Sequence, residues 1–149
     1  YIGGYYTEAA KIAQQAKEMG LKVQLLGADG FYSSKLTELG GDAVEGAVFT
    51  AGFYSGDTSP AGQNFGAAYK AKFNEEPDMF AAQAYDAAKI VLEAIKKAGS
   101  TDTTKIQAAL AATRDFPGIT GTTSFTANGD AEKDIVILKV EQGKFVRVR

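Results

Sequence analysis

Asp29 stands between Gly27 and Gly30 at the end of an apolar run, Leu21 to Leu26. A carboxylate in such a turn can receive an ammonium group through a charge-assisted hydrogen bond. Tyr5 follows a second glycine break, Gly3-Gly4, and an aromatic ring beside it could enclose a small molecule. Further aromatics gather at breaks in the pattern: Tyr6, Phe31-Tyr32, Phe53-Tyr54 and Phe80. Rings at such places either line a site or pack at the edge of a core. Asp-Gly is also ordinary turn chemistry. Asn128, Asp130, Glu132 and Asp134 collect oxygen ligands within one turn, but without the twelve-residue calcium-loop spacing they read as a solvated hairpin.

Other chemistries are excluded by composition. The 149 residues contain no Cys and no His, so disulfides, Cys/His zinc sites and His-based catalytic triads cannot form. Sixteen Lys and Arg against 18 Asp and Glu give a net charge of −2, with no basic excess for a nucleic-acid backbone. No stretch fits the P-loop, the dinucleotide Gly-x-Gly-x-x-Gly pattern or a Gly-x-Ser-x-Gly elbow. Gly41-Asp42-Ala43-Val44-Glu45-Gly46 only superficially suggests a phosphate loop, since it lacks Lys and runs into a strand. No catalytic residues, metal site or cofactor are expected, and no apolar run approaches the length of a bilayer span.

The elements that position Tyr5 and Asp29 can be read from periodicity. Tyr1 to Gly4 looks like the end of a strand. A helix is expected from Thr7, as N-cap, to Met19, with Ile12, Ala16 and Met19 on its buried face and Gly20 as its stop. Leu21–Leu26 reads as a strand, Ser33 or Ser34 caps a short helix carrying Leu36 and Leu39, and Gly46–Thr50 reads as a third strand. This β-α-β-α-β order predicts a parallel sheet with helices on its faces, and Asp29 and Tyr5 would lie at the carboxyl ends of adjacent strands, where open α/β sheets bind ligands.

Beyond Ala51 the pattern becomes helical. Pro60 suits a first helical turn, and Phe65, Tyr69 and Phe73 mark one helix face. A second helix runs from about Phe80 to Ala98, with Ala84, Ala88, Val91, Ile95 and Ala98 as its expected buried stripe and Gly99 as its stop. A third, capped by Thr101 or Asp102, buries Ile106, Ala109 and Leu110. From Thr120 strands return: Thr122–Phe125 before the hairpin dipeptide Asn128-Gly129, then Asp134–Val140 and Lys144–Val148. Three helices with apolar faces and no strand among them need a partner layer. The chain is therefore expected to be part of a larger protein, or to self-associate through those faces if only these residues are present. The 25 alanines and 17 glycines suit close helix–sheet packing.

Tyr1-Ile2-Gly3-Gly4-Tyr5-Tyr6-Thr7-Glu8, Gly20-Leu21-Lys22, Gly27-Ala28-Asp29-Gly30, Gly41 to Gly46, Phe80-Ala81-Ala82-Gln83-Ala84-Tyr85-Asp86-Ala87 and Phe125-Thr126-Ala127-Asn128-Gly129-Asp130 occur in order along the chain. Together they make the sequence resemble the C-terminal half of the branched-chain amino acid binding proteins of ABC transporters. The resemblance implies an α/β fold, part of a two-lobed type I periplasmic binding protein with parallel sheets flanked by helices, closing on its ligand like a hinge. It implies that residues 1–51 belong to the C-terminal lobe, that 52–118 supply helices of the N-terminal lobe, and that 119–149 return mainly to the C-terminal lobe. It implies a non-enzymatic protein, periplasmic or extracellular (lipid-anchored in a Gram-positive organism), that binds a small-molecule amino acid and delivers it to a membrane permease. A ligand-sensing domain of the same fold, coupled to a receptor, is the alternative. Tyr5 matches the aromatic that packs on the amino acid, Asp29 the acid that pairs with its α-ammonium, and Phe80 an apolar pocket position. Where relatives often carry Glu, the shorter Asp29 would draw the ligand slightly closer.

Overall fold

The computed structural model describes residues 1–56 and 59–148. In chain order its elements are α1 (Tyr6–Glu18), β1 (Leu26–Gly27), α2 (Ser34–Gly40), β2 (Val48–Ala51), α3 (Pro60–Phe73), α4 (Met79–Ala98), α5 (Thr103–Ala111), β3 (Phe116–Gly118), β4 (Gly121–Phe125), β5 (Ala131–Glu132), β6 (Val136–Glu141) and β7 (Lys144–Arg147). Short 3-10 turns occupy Asp29–Phe31 and Gly41–Val44. The chain forms two compact units, Tyr1–Tyr54 with the strands from Ile135 on, and Ser55–Asp134. Residues 119–134 thus group with the helices, and the last two strands group with the first fifty residues.

The first unit is built on a mixed sheet of order β1-β2-β6-β7. β1 and β2 are parallel, with Leu26 opposite Val48, and Ile2 adds a parallel bridge to Gly27. The β-α-β-α-β start is therefore present. β6 enters antiparallel to β2, with Phe49 opposite Leu138, and turns back through Gln142-Gly143 into β7. The expected strand over Leu21–Leu26 shrinks to Leu26–Gly27. A strand needs ladder partners, and the segment before Leu25 finds none in the sheet, leaving Leu21 and Val23 exposed.

Two expectations for α1 need correction. The helix starts at Tyr6 with Tyr5 as its N-cap, so Thr7 lies inside the first turn. Its buried face is Ala9, Ala10 and Ala13, while Ile12 is exposed and Met19 is 74% exposed. Small side chains let the helix approach its neighbour α2 closely, which longer ones would prevent. α2 is capped as expected: the Ser33 hydroxyl oxygen accepts the Lys35 N–H at 3.3 Å. Leu36 is fully buried, whereas Leu39 faces outward. The core below is aromatic. Phe31 and Phe49 lie 5.7 Å apart, and Phe145 meets Tyr32 and Phe49 edge-on at 5.1 and 5.5 Å.

The second unit carries the three helices. Each begins on an oxygen cap: Ser59 accepts from Gly62 N–H at 3.2 Å, Asp78 from Ala81 at 2.9 Å, and Asp102 from Lys105 at 3.0 Å. Pro60 stands at the start of α3, and left-handed Asn74 and Gly99 end α3 and α4. Phe65, Tyr69 and Phe73 form the expected ring row, spaced 5.8 and 4.6 Å, and Tyr85 of α4 joins Phe65 at 5.1 Å.

The buried face of α4 is a correction. Met79, Ala82, Asp86, Ile90 and Ala94 are buried, while Ala84, Ala88 and Val91 of the expected stripe are exposed and Ile95 and Ala98 half-buried. The helix is apolar on both sides, and within this unit the side bearing Asp86 is the one with partners. Ile106, Ala109 and Leu110 of α5 are only half-buried. β3, with Pro117 inside it, had no strand signature; Pro is tolerated there because the strand has a single neighbour, β4.

Candidate ligand-binding crevice

The first unit brings three chain segments to the carboxyl end of its parallel strands. After Ile2 comes Gly3-Gly4-Tyr5 and the start of α1. After β1 comes Ala28 and the turn Asp29–Phe31, and after β2 the chain passes to Gly52-Phe53-Tyr54. Tyr5, in an extended conformation with φ −92° and ψ 171°, is 61% exposed at the head of α1. Asp29 opens its 3-10 turn, where its carbonyl accepts the Tyr32 N–H at 3.0 Å. Its side chain is exposed and makes no hydrogen bond or ion pair with any described residue. An exposed carboxylate and an exposed aromatic residue thus stand at neighbouring strand ends, a pair of groups suited to an organic cation.

The two glycines around Asp29 do more than permit a turn. A Cβ on Gly27 would lie 2.5 Å from the Phe31 ring, and one on Gly30 would lie 2.7 Å from the Gly4 carbonyl oxygen and 3.2 Å from Tyr5 Cδ1. Gly30 therefore packs directly on the Tyr5 segment, which holds the turn that carries Asp29 against it. Sequence reading found the glycines as turn residues and missed this packing role.

Of the other aromatics at breaks, Phe31, Tyr32 and Phe53 are buried core rings. Tyr54 is half-buried, and its hydroxyl donates to the Phe145 carbonyl at 3.4 Å. Phe80 lies in the second unit, in the first turn of α4 two residues beyond its Asp78 cap, and is 38% exposed.

The second unit also holds an acid that sequence reading did not single out. Asp86 is 4% exposed, and its carboxylate accepts N–H groups from Ile119 and Thr120, each at 2.9 Å, and the Thr120 hydroxyl at 2.6 Å. Lys133 bonds to the same hydroxyl, and burial depresses its pKa while the Asp86 charge opposes the shift. An acid in mid-helix with apolar neighbours four residues either side, Ala82 and Ile90, is the signal that could have marked it. Its partners give it a structural role, pinning the β3–β4 turn to α4. The Asn128–Asp134 acids lie around the β4–β5 hairpin. Among the described residues no group of three or more such side chains could hold a metal ion, and no helix is long and apolar enough to cross a membrane.

Residues 1–144 match the family model described as periplasmic binding protein. The chain belongs to the periplasmic binding protein family. Relatives of this periplasmic binding protein include the leucine-, isoleucine-, valine-, threonine- and alanine-binding protein of Pseudomonas aeruginosa, 34% identical over 87% of this chain and 34% of that protein. Among solved structures, the leucine binding protein LivK of Thermotoga maritima is 38% identical with a TM-score of 0.91, covering 100% of this chain and 43% of that one. The branched-chain amino acid transporter substrate binding protein LivJ of Streptococcus pneumoniae, in complex with isoleucine, is 36% identical with a TM-score of 0.84, covering 97% and 43%. The fold is α/β, of the type I periplasmic binding class, and the chain spans 34% to 43% of the length of these relatives.

Proposed function

We propose that this periplasmic binding protein chain serves capture of an amino acid, branched-chain or similar, outside the cytoplasmic membrane, for delivery to the permease of an ABC transporter. The observation that carries this reading is the exposed Asp29, whose carboxylate has no partner among the described residues, in the turn that packs on the Tyr5 segment at the carboxyl end of β1. Asp29 receives the α-ammonium group and Tyr5 packs on the amino acid backbone. Catalysis is not required for this role, and no cofactor is assigned. What the relatives bind supports the ligand class. Residues 1–51 belong to one lobe and the helices of 52–118 to the other, which accounts for the apolar face of α4 around Ala84, Ala88 and Val91 as a surface for sheet outside these 149 residues.

Calorimetric titration with leucine, isoleucine and valine, on the protein with whatever sequence flanks these residues, tests the reading. Asp29→Asn should weaken binding roughly a hundredfold, the cost of truncating one partner of a desolvated charge pair. Unchanged affinity would remove Asp29 from the site.

A further inference from the structure

The two residues assigned to the ligand in the first unit come from different strand ends, and Gly30 packs on the backbone between those ends. A Cβ on Gly30 would fall 2.7 Å from the Gly4 carbonyl oxygen, 3.2 Å from Tyr5 Cδ1 and 3.3 Å from Tyr5 Cα. Two of these three atoms are backbone, which cannot rotate away as a flexible side-chain tip can. Gly30 is buried and is absent from the glycines with positive φ, so its backbone is open to any L residue and only the space is missing. Gly27, one turn earlier, differs in kind: its neighbour is the buried ring of Phe31, part of the core.

We infer that Gly30 is a positioning residue for amino-acid recognition, holding the Asp29 carboxylate and the Tyr5 ring at one spacing through its backbone contact with Gly4 and Tyr5. This rests on the reading of Asp29 and Tyr5 given above. A methyl group at position 30 must shift the Asp29 turn and the Tyr5 segment relative to one another, because two of the three atoms it meets are backbone. The ammonium acceptor and the aromatic wall then no longer meet one α-amino acid at once. Geometry of this kind is sensitive, since displacements of about 1 Å at a binding constellation change its performance by large factors. Gly30 thereby fixes the preference for a ligand whose ammonium and packing surface lie on the same α-carbon.

The contact itself is read first in the wild-type protein, where nuclear Overhauser effects should connect the Gly30 α-protons with Tyr5; their absence overturns the inference. Next, 3-fluorotyrosine is incorporated and Gly30→Ala introduced, with Tyr5→Phe and Tyr32→Phe assigning the resonances. The Tyr5 fluorine signal should move while that of buried Tyr32 stays. A stationary Tyr5 signal overturns the proposal whether or not a ligand binds. Finally, leucine titrations complete a double-mutant cycle. Gly30→Ala should raise Kd by roughly tenfold alone and by less than about twofold in an Asp29→Asn background, a departure from additivity larger than non-interacting sites show. Additive effects would overturn coupling through Asp29. If Asp29→Asn alone leaves leucine affinity unchanged, the role of Asp29 fails, and the Overhauser and fluorine results still decide the placement of Tyr5 by Gly30.

Discussion

The carboxylate of Glu45 accepts the backbone N–H of Gln142 at 2.7 Å across 97 residues of sequence, and that of Gly143 at 3.2 Å. Gln142 and Gly143 both have positive φ, 52° and 71°, as the two-residue turn between β6 and β7 requires. The acid of the Gly41–Gly46 segment thus satisfies the two donors at the tip of a distant hairpin. Glu45→Ala should lower stability by roughly 1 kcal/mol, the usual net worth of such a bond at an exposed position. Hydrogen exchange should report the loss locally, with the amides of Gln142 and Gly143 exchanging faster while those of β2 hold.

Asp86 makes a sharper case because its bonds are buried. Removing it strands the N–H groups of Ile119 and Thr120, both of which it now accepts. Asp86→Ala should therefore cost about 3 kcal/mol in urea unfolding, with Asp86→Asn intermediate because an amide keeps one acceptor. Equal stability of the alanine variant and the wild type would contradict the anchoring role.

Lys133 predicts a pH dependence. Burial lowers its folded-state pKa below the usual 10.5, with the Asp86 charge opposing. The unfolded chain therefore binds the proton more tightly. The resulting penalty is fully present below the folded pKa and is relieved as pH rises toward 10.5, so this residue makes stability increase with pH across that window. Subtracting the stability profile of Lys133→Met from that of the wild type should isolate a rising difference in alkaline solution; a falling one would reverse the assigned sign.

Gly27→Ala should destabilise by about 2 kcal/mol, an overpacking cost, because the added methyl meets the Phe31 ring at 2.5 Å and that ring is itself wedged against Phe49. Thermal melting followed by tyrosine signals in the near ultraviolet would record it. Phe31→Leu introduced alongside should recover part of the loss by opening space for the methyl.

Local chemistry was the legible part of this sequence. The Ser33 cap, Pro60 at a helix start, the Asp102 cap, the Gly99 stop and the Phe65-Tyr69-Phe73 row are each determined within one or two turns of chain, and each is present. The strand ends that carry Tyr5 and Asp29 were readable for the same reason. Faces were harder. α4 has apolar residues on opposite sides, so periodicity could not say which side its own unit buries. Asp86 was not singled out, because its donors sit 33 and 34 positions away. α1 buries alanines in preference to Ile12, since helix proximity outweighed side-chain size. The close approach of Gly30 to Gly4 left no sequence signal at all, as a glycine in a turn looks the same whether it supplies freedom or space.

The pairing of Ala51 with Val136 has a consequence for how the molecule is made. Every residue of the second unit must leave the ribosome before β6 can dock on β2. At ordinary synthesis rates of about 5–20 residues per second, that leaves the edge of β2 open for several seconds. During this interval the nascent chain presents an incomplete sheet with Phe49 awaiting its Leu138 neighbour. Translation speed and chaperone supply, more than the final stability of the sheet, would then govern the yield of folded protein.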